Sequence, residues 1–335
     1  MEYRRVGKSG LLVSELSLGT MMFGDQTDRA TAEKITAMAR DAGVNFIDTA
    51  EGYAGGKSEA MVGELLKGER EKWVIGTKVN SSSGPKDPVI GLSRRWMMRS
   101  LERSLKRLQT DYIDVWYLHH VDWDTPLEET VDTMADVIAS GKVHYWGISN
   151  HRAWQIGELV RLADHYGAPR PIIAQPYYNA MNRMPENDLL PACEYFGLGV
   201  VPYSPLARGV LTGKYRPGAG APEGSRAARN DRRIMQTEFR EESMQAAAKI
   251  QDHAAAKGGS AIGFALKWVL ANPICTGVLG GPRTIEHWQG YLDGMSYAYG
   301  PDDEALLDSL VAAGHPSTPG FTDPQYPVRG RPVKY

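Results

Sequence analysis

The sequence predicts an α/β chain closed into a (β/α)₈, or TIM, barrel with an N-terminal hairpin. Short apolar runs rich in Val, Ile and Tyr alternate with longer segments of helical period, which is the pattern of βα units and a parallel sheet. Eight such runs can be counted, and eight strands favour a closed ring over an open doubly wound sheet. No Pro/Gly/Ser-rich linker divides the 335 residues into similar halves, so residues 1–335 are expected to form one domain.

The expected strands lie near Glu15–Gly19, Asn45–Asp48, Trp73–Lys78, Ile113–His119, His144–Ser149, Ile172–Gln175, Gly199–Tyr203 and Ile274–Gly280. Between Arg94 and Leu108, Met97, Met98, Leu101, Leu105 and Leu108 fall on one helical face, with the Arg and Lys residues placed elsewhere. Similar periodicity predicts helices over Thr31–Asp41, Ser58–Leu66, Leu127–Ala139, Trp154–His165 and Asp188–Tyr195. Gly43, Gly141, Gly167 and Gly197 stand where C-terminal caps belong. Tyr3–Val13, with Gly7 and Gly10 inside it, predicts a hairpin at the barrel bottom. The connection Ser204–Arg240 after the seventh strand is too long to be a plain connector and reads as a functional loop, and Pro316–Tyr335, with five prolines, reads as an irregular strap.

Composition narrows the class of partner. The 38 basic and 40 acidic residues give a net charge of −2 with no basic run, which argues against nucleic acid and membrane and for a small molecule. Cys193 and Cys275 sit among apolar neighbours outside any Cys/His cluster, so a reduced, cytoplasmic setting and no metal are expected. The opening Met1-Glu2-Tyr3-Arg4-Arg5 has no apolar signal core, and the longest apolar stretch, Ala261–Leu270, is short and contains Lys267.

In such barrels the chemistry gathers at the C-terminal strand ends. Asp48, Lys78 and His119 end three neighbouring strands, and Tyr53 follows Asp48 by five residues. The set makes chemical sense for carbonyl reduction. Carbon receives hydride, oxygen needs a proton, and a phenol can give one if an ammonium, here Lys78, lowers its pKa from about 10. Asp48 would keep Lys78 charged, and a neutral His119 would hydrogen-bond the carbonyl oxygen. His120 is expected on the opposite face by strand alternation.

The motifs Phe46-Ile47-Asp48-Thr49-Ala50-Glu51-Gly52-Tyr53, Gly76-Thr77-Lys78 and Tyr117-Leu118-His119 resemble the catalytic tetrad motifs of the aldo-keto reductases. Gly147-Ile148-Ser149-Asn150, Gln175-Pro176-Tyr177, Tyr203-Ser204-Pro205-Leu206-Ala207-Arg208-Gly209 and Gly281-Pro282-Arg283-Thr284 extend the resemblance almost end to end.

The resemblance implies an NADPH-dependent carbonyl reductase with Tyr53 as general acid. Ser149, Asn150 and Gln175 would bind the carboxamide, and Tyr203 would stack on the nicotinamide ring. Ser204, Pro205, Leu206, Gly209 and Lys214 would hold the pyrophosphate, with Arg283 on the 2′-phosphate. Gly19, Thr20, Met21, Asp48 and Gly281 would complete the cofactor set. His287 and Tyr291 would stand at the adenine, where many relatives carry Gln and Asn. Met22, Phe23, Tyr53 and Trp123 would line the substrate pocket, which suits apolar or bulky aldehydes and ketones.

Other features of the sequence point to other chemistries. Gly56-Lys57-Ser58 is similar to the end of a P-loop, but Glu51 stands where the first glycine is needed, and a helix start explains the segment more simply. Arg226, Arg229, Arg232 and Arg233 read as a solvated loop face, with folding over cofactor phosphates as the alternative. A metal-assisted hydrolase would need a His/Asp/Glu cluster at the strand ends. A slow-turnover NADPH-binding regulatory subunit, resembling the β subunits of potassium channels, keeps the same tetrad; against it, the chain starts directly at the barrel without a long leading extension.

Overall fold

The computed structural model describes residues 1–80 and 91–327. The chain divides into two compact units. The first comprises Met1–Pro176, Asp188–Tyr203 and Asn272–Leu292, the second Tyr177–Asn187, Ser204–Ala271 and Asp293–Tyr335.

The first unit opens with an antiparallel hairpin, β1 (Tyr3–Arg5) and β2 (Leu12–Ser14). Eight parallel strands follow: β3 (Leu16–Gly19), β4 (Phe46–Asp48), β5 (Val74–Val79), β6 (Ile113–Leu118), β7 (Val143–Ser149), β8 (Ile173–Gln175), β9 (Gly199–Val200) and β10 (Val278–Gly280). Each pairs with its sequence neighbour, and β10 returns to pair with β3. The ring closes where Thr276 N donates to Val200 O at 2.7 Å and Leu279 N to Pro202 O at 3.1 Å. Strands buried on both faces need continuous apolar runs, which is why this pattern was legible.

The helices α1 (Arg29–Asp41), α2 (Lys57–Leu65), α3 (Arg94–Leu108), α4 (Leu127–Ala139), α5 (Ala153–Tyr166) and α6 (Leu189–Phe196) match the predicted segments within one or two residues. Asp28 and Ser93 cap α1 and α3 by accepting from Thr31 N and Trp96 N. In α3, Met97 is buried as expected, but Met98 is exposed, because it stands at the edge of a buried face that also takes in Trp96, Ser100 and Ser104 and is centred nearer Met97.

The last two strands are shorter than predicted. Pro202 lacks an N–H, so β9 stops at Val200, although Val201 N and Tyr203 N still bond to Ala174 O and Pro176 O. Before β10, only Cys275 forms an isolated bridge, to Val200.

The hairpin plugs the barrel floor. Val6 and Val13 pack with Phe46, Val115, Tyr117, Ile173, Val201 and Leu279. Gly7, at φ 54°, lies where a Cβ would come within 2.3 Å of Gly197 O, so glycine is required there.

The second unit is mostly helical: α7 (Arg232–Thr237), α8 (Glu241–Ala256), α9 (Ala261–Ala271) and α11 (Pro301–Leu310), while α10 (Ile285–Gly294) starts in the first unit. None of these helices carries an apolar stripe as clear as that of α3. Helix α9 is apolar nearly all round, and α8 is built largely of alanine and polar residues. The Ser204–Arg240 connection carries a 3₁₀ segment, Ala207–Thr212, and then α7. Up to Pro327 the strap has no helix or strand and is tied to its own unit by Ser317 to Ser243 (2.8 Å) and Asp323 to Arg233 (3.0 Å). Its remaining residues, 328–335, lie outside the described residues. Cys193 and Cys275 are buried free thiols, and no described helix is long and apolar enough to cross a membrane.

Candidate active site

The tetrad converges in the first unit. Lys78, at the end of β5, is fully buried and donates to Asp48 Oδ1 at 2.5 Å, to Thr49 O at 2.7 Å and to Tyr53 Oη at 3.2 Å. Its three ammonium donors are thereby satisfied, which a buried cation requires. The other oxygen of Asp48 accepts from Gln175 Nε2 at 2.9 Å. The His119 ring meets the Tyr53 ring edge-on, with centroids 5.9 Å apart.

Burial pulls the Lys78 pKa down, but Asp48 and Tyr53 beside it pull it up and prevail, so the ammonium form is held. Tyr53 departs from expectation. Burial raises its phenol above the ordinary value, and Lys78 offsets that rise only in part. The sequence could place the cation beside the phenol but not weigh it against the loss of water. Burial first, then the charges of His120 and Lys78, depress the His119 pKa well below the ordinary imidazole value, so its ring is neutral.

His120 is a correction. Strand β6 ends at Leu118, so alternation lapses, and the His120 ring stacks on that of His119 with centroids 4.1 Å apart. Asn150 lies beside both, its Nδ2 donating to His119 O at 2.8 Å while its Oδ1 accepts from Tyr203 Oη at 2.9 Å. Ser149 Oγ donates to Gln175 O at 2.8 Å. Ser149, Asn150, Gln175 and Tyr203 are thus linked to the tetrad by hydrogen bonds.

Of the residues at the first strand end, Met21 is exposed, whereas Thr20 is buried and its hydroxyl is engaged by Asp48 O (2.9 Å) and Ser58 Oγ (2.8 Å). Gly19 packs against Gly280 O. Phe23 is 0% exposed and Met22 8%, so among the four expected pocket residues Tyr53 and Trp123, the latter 50% exposed, keep the most open surface. Near α10, Gly281 and His287 are exposed and Arg283 partly so, but Tyr291 is buried against Trp288 and Gly280.

Within the second unit, Ser204, Ala207, Arg208 and Gly209 all have positive φ, close to Pro205 and Leu206. A side chain at Gly209 would come within 3.2 Å of Lys214 Nζ. Burial, then the charges of Arg226 and Arg229, lower the pKa of Lys214. Cations gathered at such cost suit a phosphate-bearing ligand, whose charge would relieve their repulsion. Of the four loop arginines, Arg233 pairs with Asp323 and Arg226 lies 3.8 Å from Asp231.

Residues 15–312 match the sequence profile of the Aldo/keto reductase family. The chain belongs to the aldo/keto reductase family. It is 38% identical over 287 residues to a probable voltage-gated potassium channel subunit beta of Oryza sativa subsp. japonica, covering 84% of this chain and 87% of the relative. It is 36% identical over 332 residues to the uncharacterized oxidoreductase YrpG of Bacillus subtilis (strain 168), covering 95% and 98%. A putative voltage-gated potassium channel subunit beta of Schizosaccharomyces pombe is 37% identical over 292 residues, covering 84% of each chain. The aldo/keto reductase barrel read from the sequence is therefore the right fold, and an oxidoreductase using a nicotinamide cofactor is the family's general chemistry.

Sequence reasoning passed over Glu51, Glu59 and Arg107, which pack behind the Tyr53 loop of this aldo/keto reductase. Arg107 belongs to the α3 cations assigned to the outer face. Glu59, in the first turn of α2, reads as an ordinary dipole-matching acid. Only the tertiary packing reveals that the two meet.

Proposed function

We propose that this aldo/keto reductase reduces an aldehyde or ketone to the alcohol with NADPH, Tyr53 giving the proton. The observation that carries the reading is the buried chain Asp48–Lys78–Tyr53, with a phenol held 3.2 Å from an ammonium at the strand ends. When bound, NADPH would supply the hydride that reaches the carbonyl carbon. Tyr53 Oη then gives its proton to the oxygen as negative charge grows there. Lys78 stabilises the phenolate left behind, and Asp48 keeps Lys78 charged and oriented. Neutral His119 donates a hydrogen bond to the carbonyl oxygen and orients it. Ser149, Asn150 and Gln175 suit the carboxamide, Tyr203 the nicotinamide ring, Lys214 and the backbone near Gly209 the pyrophosphate, and Arg283 the 2′-phosphate. The exposed Trp123 favours apolar or bulky carbonyl compounds, and the proposed setting is the reducing cytoplasm.

The test is NADPH consumption by the purified protein across aldehydes, ketosugars and cyclic ketones. Oxidation of many equivalents per chain supports the reading; one equivalent or none across the whole panel overturns it. That second outcome would favour a slow-turnover regulatory subunit, a reading favoured by the relatives named as potassium channel β subunits.

The raised Tyr53 pKa sets a pH signature. Reduction needs the protonated phenol, so kcat/KM for reduction should stay flat through neutral pH and fall only above the ordinary phenol pKa of about 10, while alcohol oxidation, which needs the phenolate, rises toward that region. His119, already neutral, should add no limb between pH 6 and 8. A reduction profile that halves between pH 7 and 8 would show that another group donates the proton.

Cofactor choice is tested separately. Arg283→Ala should weaken NADPH binding by about 1.5 to 3 kcal/mol, the value of hydrogen bonds to a charged group, and leave NADH nearly unchanged. Equal weakening of both in a fluorescence titration would remove Arg283 from the 2′-phosphate.

A further inference from the structure

The loop that carries Tyr53 is held in an unfavourable shape. Ala54, Gly55 and Gly56 follow one another with φ of 50°, 66° and 94°, and alanine in that region persists only when its surroundings over-determine it. The supports are visible. Glu51 N donates to Lys78 O at 3.2 Å, Ser100 Oγ donates to the Glu51 carboxylate, and Arg107 Nη1 donates to Glu51 O at 3.2 Å. The same Nη1 lies 3.0 Å from Glu59 Oε2, and Glu59 has no exposed side-chain surface. The second Glu59 oxygen accepts from Thr77 Oγ1 at 2.7 Å, one residue before Lys78. At the far end of the loop, a Cβ on Gly56 would come within 2.6 Å of Arg107 Cζ.

One guanidinium therefore braces both ends of the Tyr53 loop and, through Glu59 and Thr77, the strand that carries Lys78. Stability alone is a poor reason for this arrangement. The cation lies at the start of α2, where the helix dipole disfavours positive charge, and a largely buried ion pair often does no better than an apolar contact.

We infer that Arg107 is a positioning residue for the proton donor, holding the Glu51–Gly56 loop so that Tyr53 Oη stays beside Lys78. The inference rests on the reading of Tyr53 as the acid.

Arg107→Met, Arg107→Lys and Arg107→Ala test it in the whole 335-residue chain. For Arg107→Met, kcat for reduction should fall about 10- to 100-fold, the effect of a misplaced reacting group. KM and the NADPH dissociation constant should stay within about twofold of wild type. The alkaline rise of alcohol oxidation should move to higher pH, because a phenol further from Lys78 ionises less readily. Arg107→Lys keeps the charge but loses the fork and should recover only part of kcat, whereas added guanidinium should raise the rate of Arg107→Ala.

A folded Arg107→Met with kcat within threefold of wild type and an unmoved alkaline limb overturns the inference, as does full recovery by Arg107→Lys, which would leave only a charge effect. If Arg107→Met fails to fold, the threefold and pH criteria apply to Arg107→Lys. Tyr53→Phe run in parallel separates the two claims. An active Tyr53→Phe sinks the reading of the acid, while an inactive Tyr53→Phe beside an unaffected Arg107→Met sinks the positioning role alone.

Discussion

Tyr53→Phe is expected to fold, to bind NADPH as wild type does and to lose most carbonyl reduction. The substitution deletes one oxygen. The ring keeps its edge contact with His119, and Lys78 keeps Asp48 Oδ1 and Thr49 O as partners. A positioned general acid contributes about 10² to 10⁴ in rate, and this hydroxyl would also stand nearest the developing oxyanion, so the loss should reach or exceed that range. Steady-state reduction of a good substrate is the measurement. A folded, NADPH-bound variant working within a few-fold of wild type would show that the proton comes from elsewhere.

Lys78→Met should be at least as damaging, and in two separable ways. Reduction should collapse, because the phenolate left by proton transfer loses its stabilising charge. Stability should fall as well. Asp48 is buried and its Oδ1 would lose its ammonium partner, and breaking a buried ion pair on one side costs about 3 to 5 kcal/mol. The double variant Lys78→Met with Asp48→Asn removes the stranded charge and should regain part of the stability without regaining activity. Denaturant unfolding beside a rate assay reads both. If the single variant unfolds at the wild-type midpoint, Asp48 is not held as a charged group by Lys78.

The tetrad could be read from the sequence because each member sits at a place periodicity can find. Asp48, Lys78 and His119 end apolar runs, and Tyr53 follows the first of them at short range. What escaped depends on distance in space rather than along the chain. Arg107 and Glu59 are 48 residues apart and each looks like a surface charge on its own helix. His120 was assigned by an alternation that holds only while the strand lasts, and β6 stops two residues earlier. The direction of the Tyr53 shift needed the depth of burial, which no residue type encodes. The later helices hid for a further reason, since α9 has no polar face to set off an apolar one.

The closure of the ring bears on how the chain is made. Strand β3 at Leu16–Gly19 finds its outer partner only in Val278–Gly280, and Lys8 N bonds to the carbonyl of Gly197. While the chain is still emerging, β3 therefore carries an unpaired edge, and the floor hairpin lacks part of its seat, through most of synthesis. Contacts this distant in sequence make for slow folding, and an open parallel edge can recruit another unfinished copy. The hairpin and β3 are thus synthesised long before β10 and are among the last to settle. Truncation before residue 280 should leave a sticky sheet rather than a smaller working barrel.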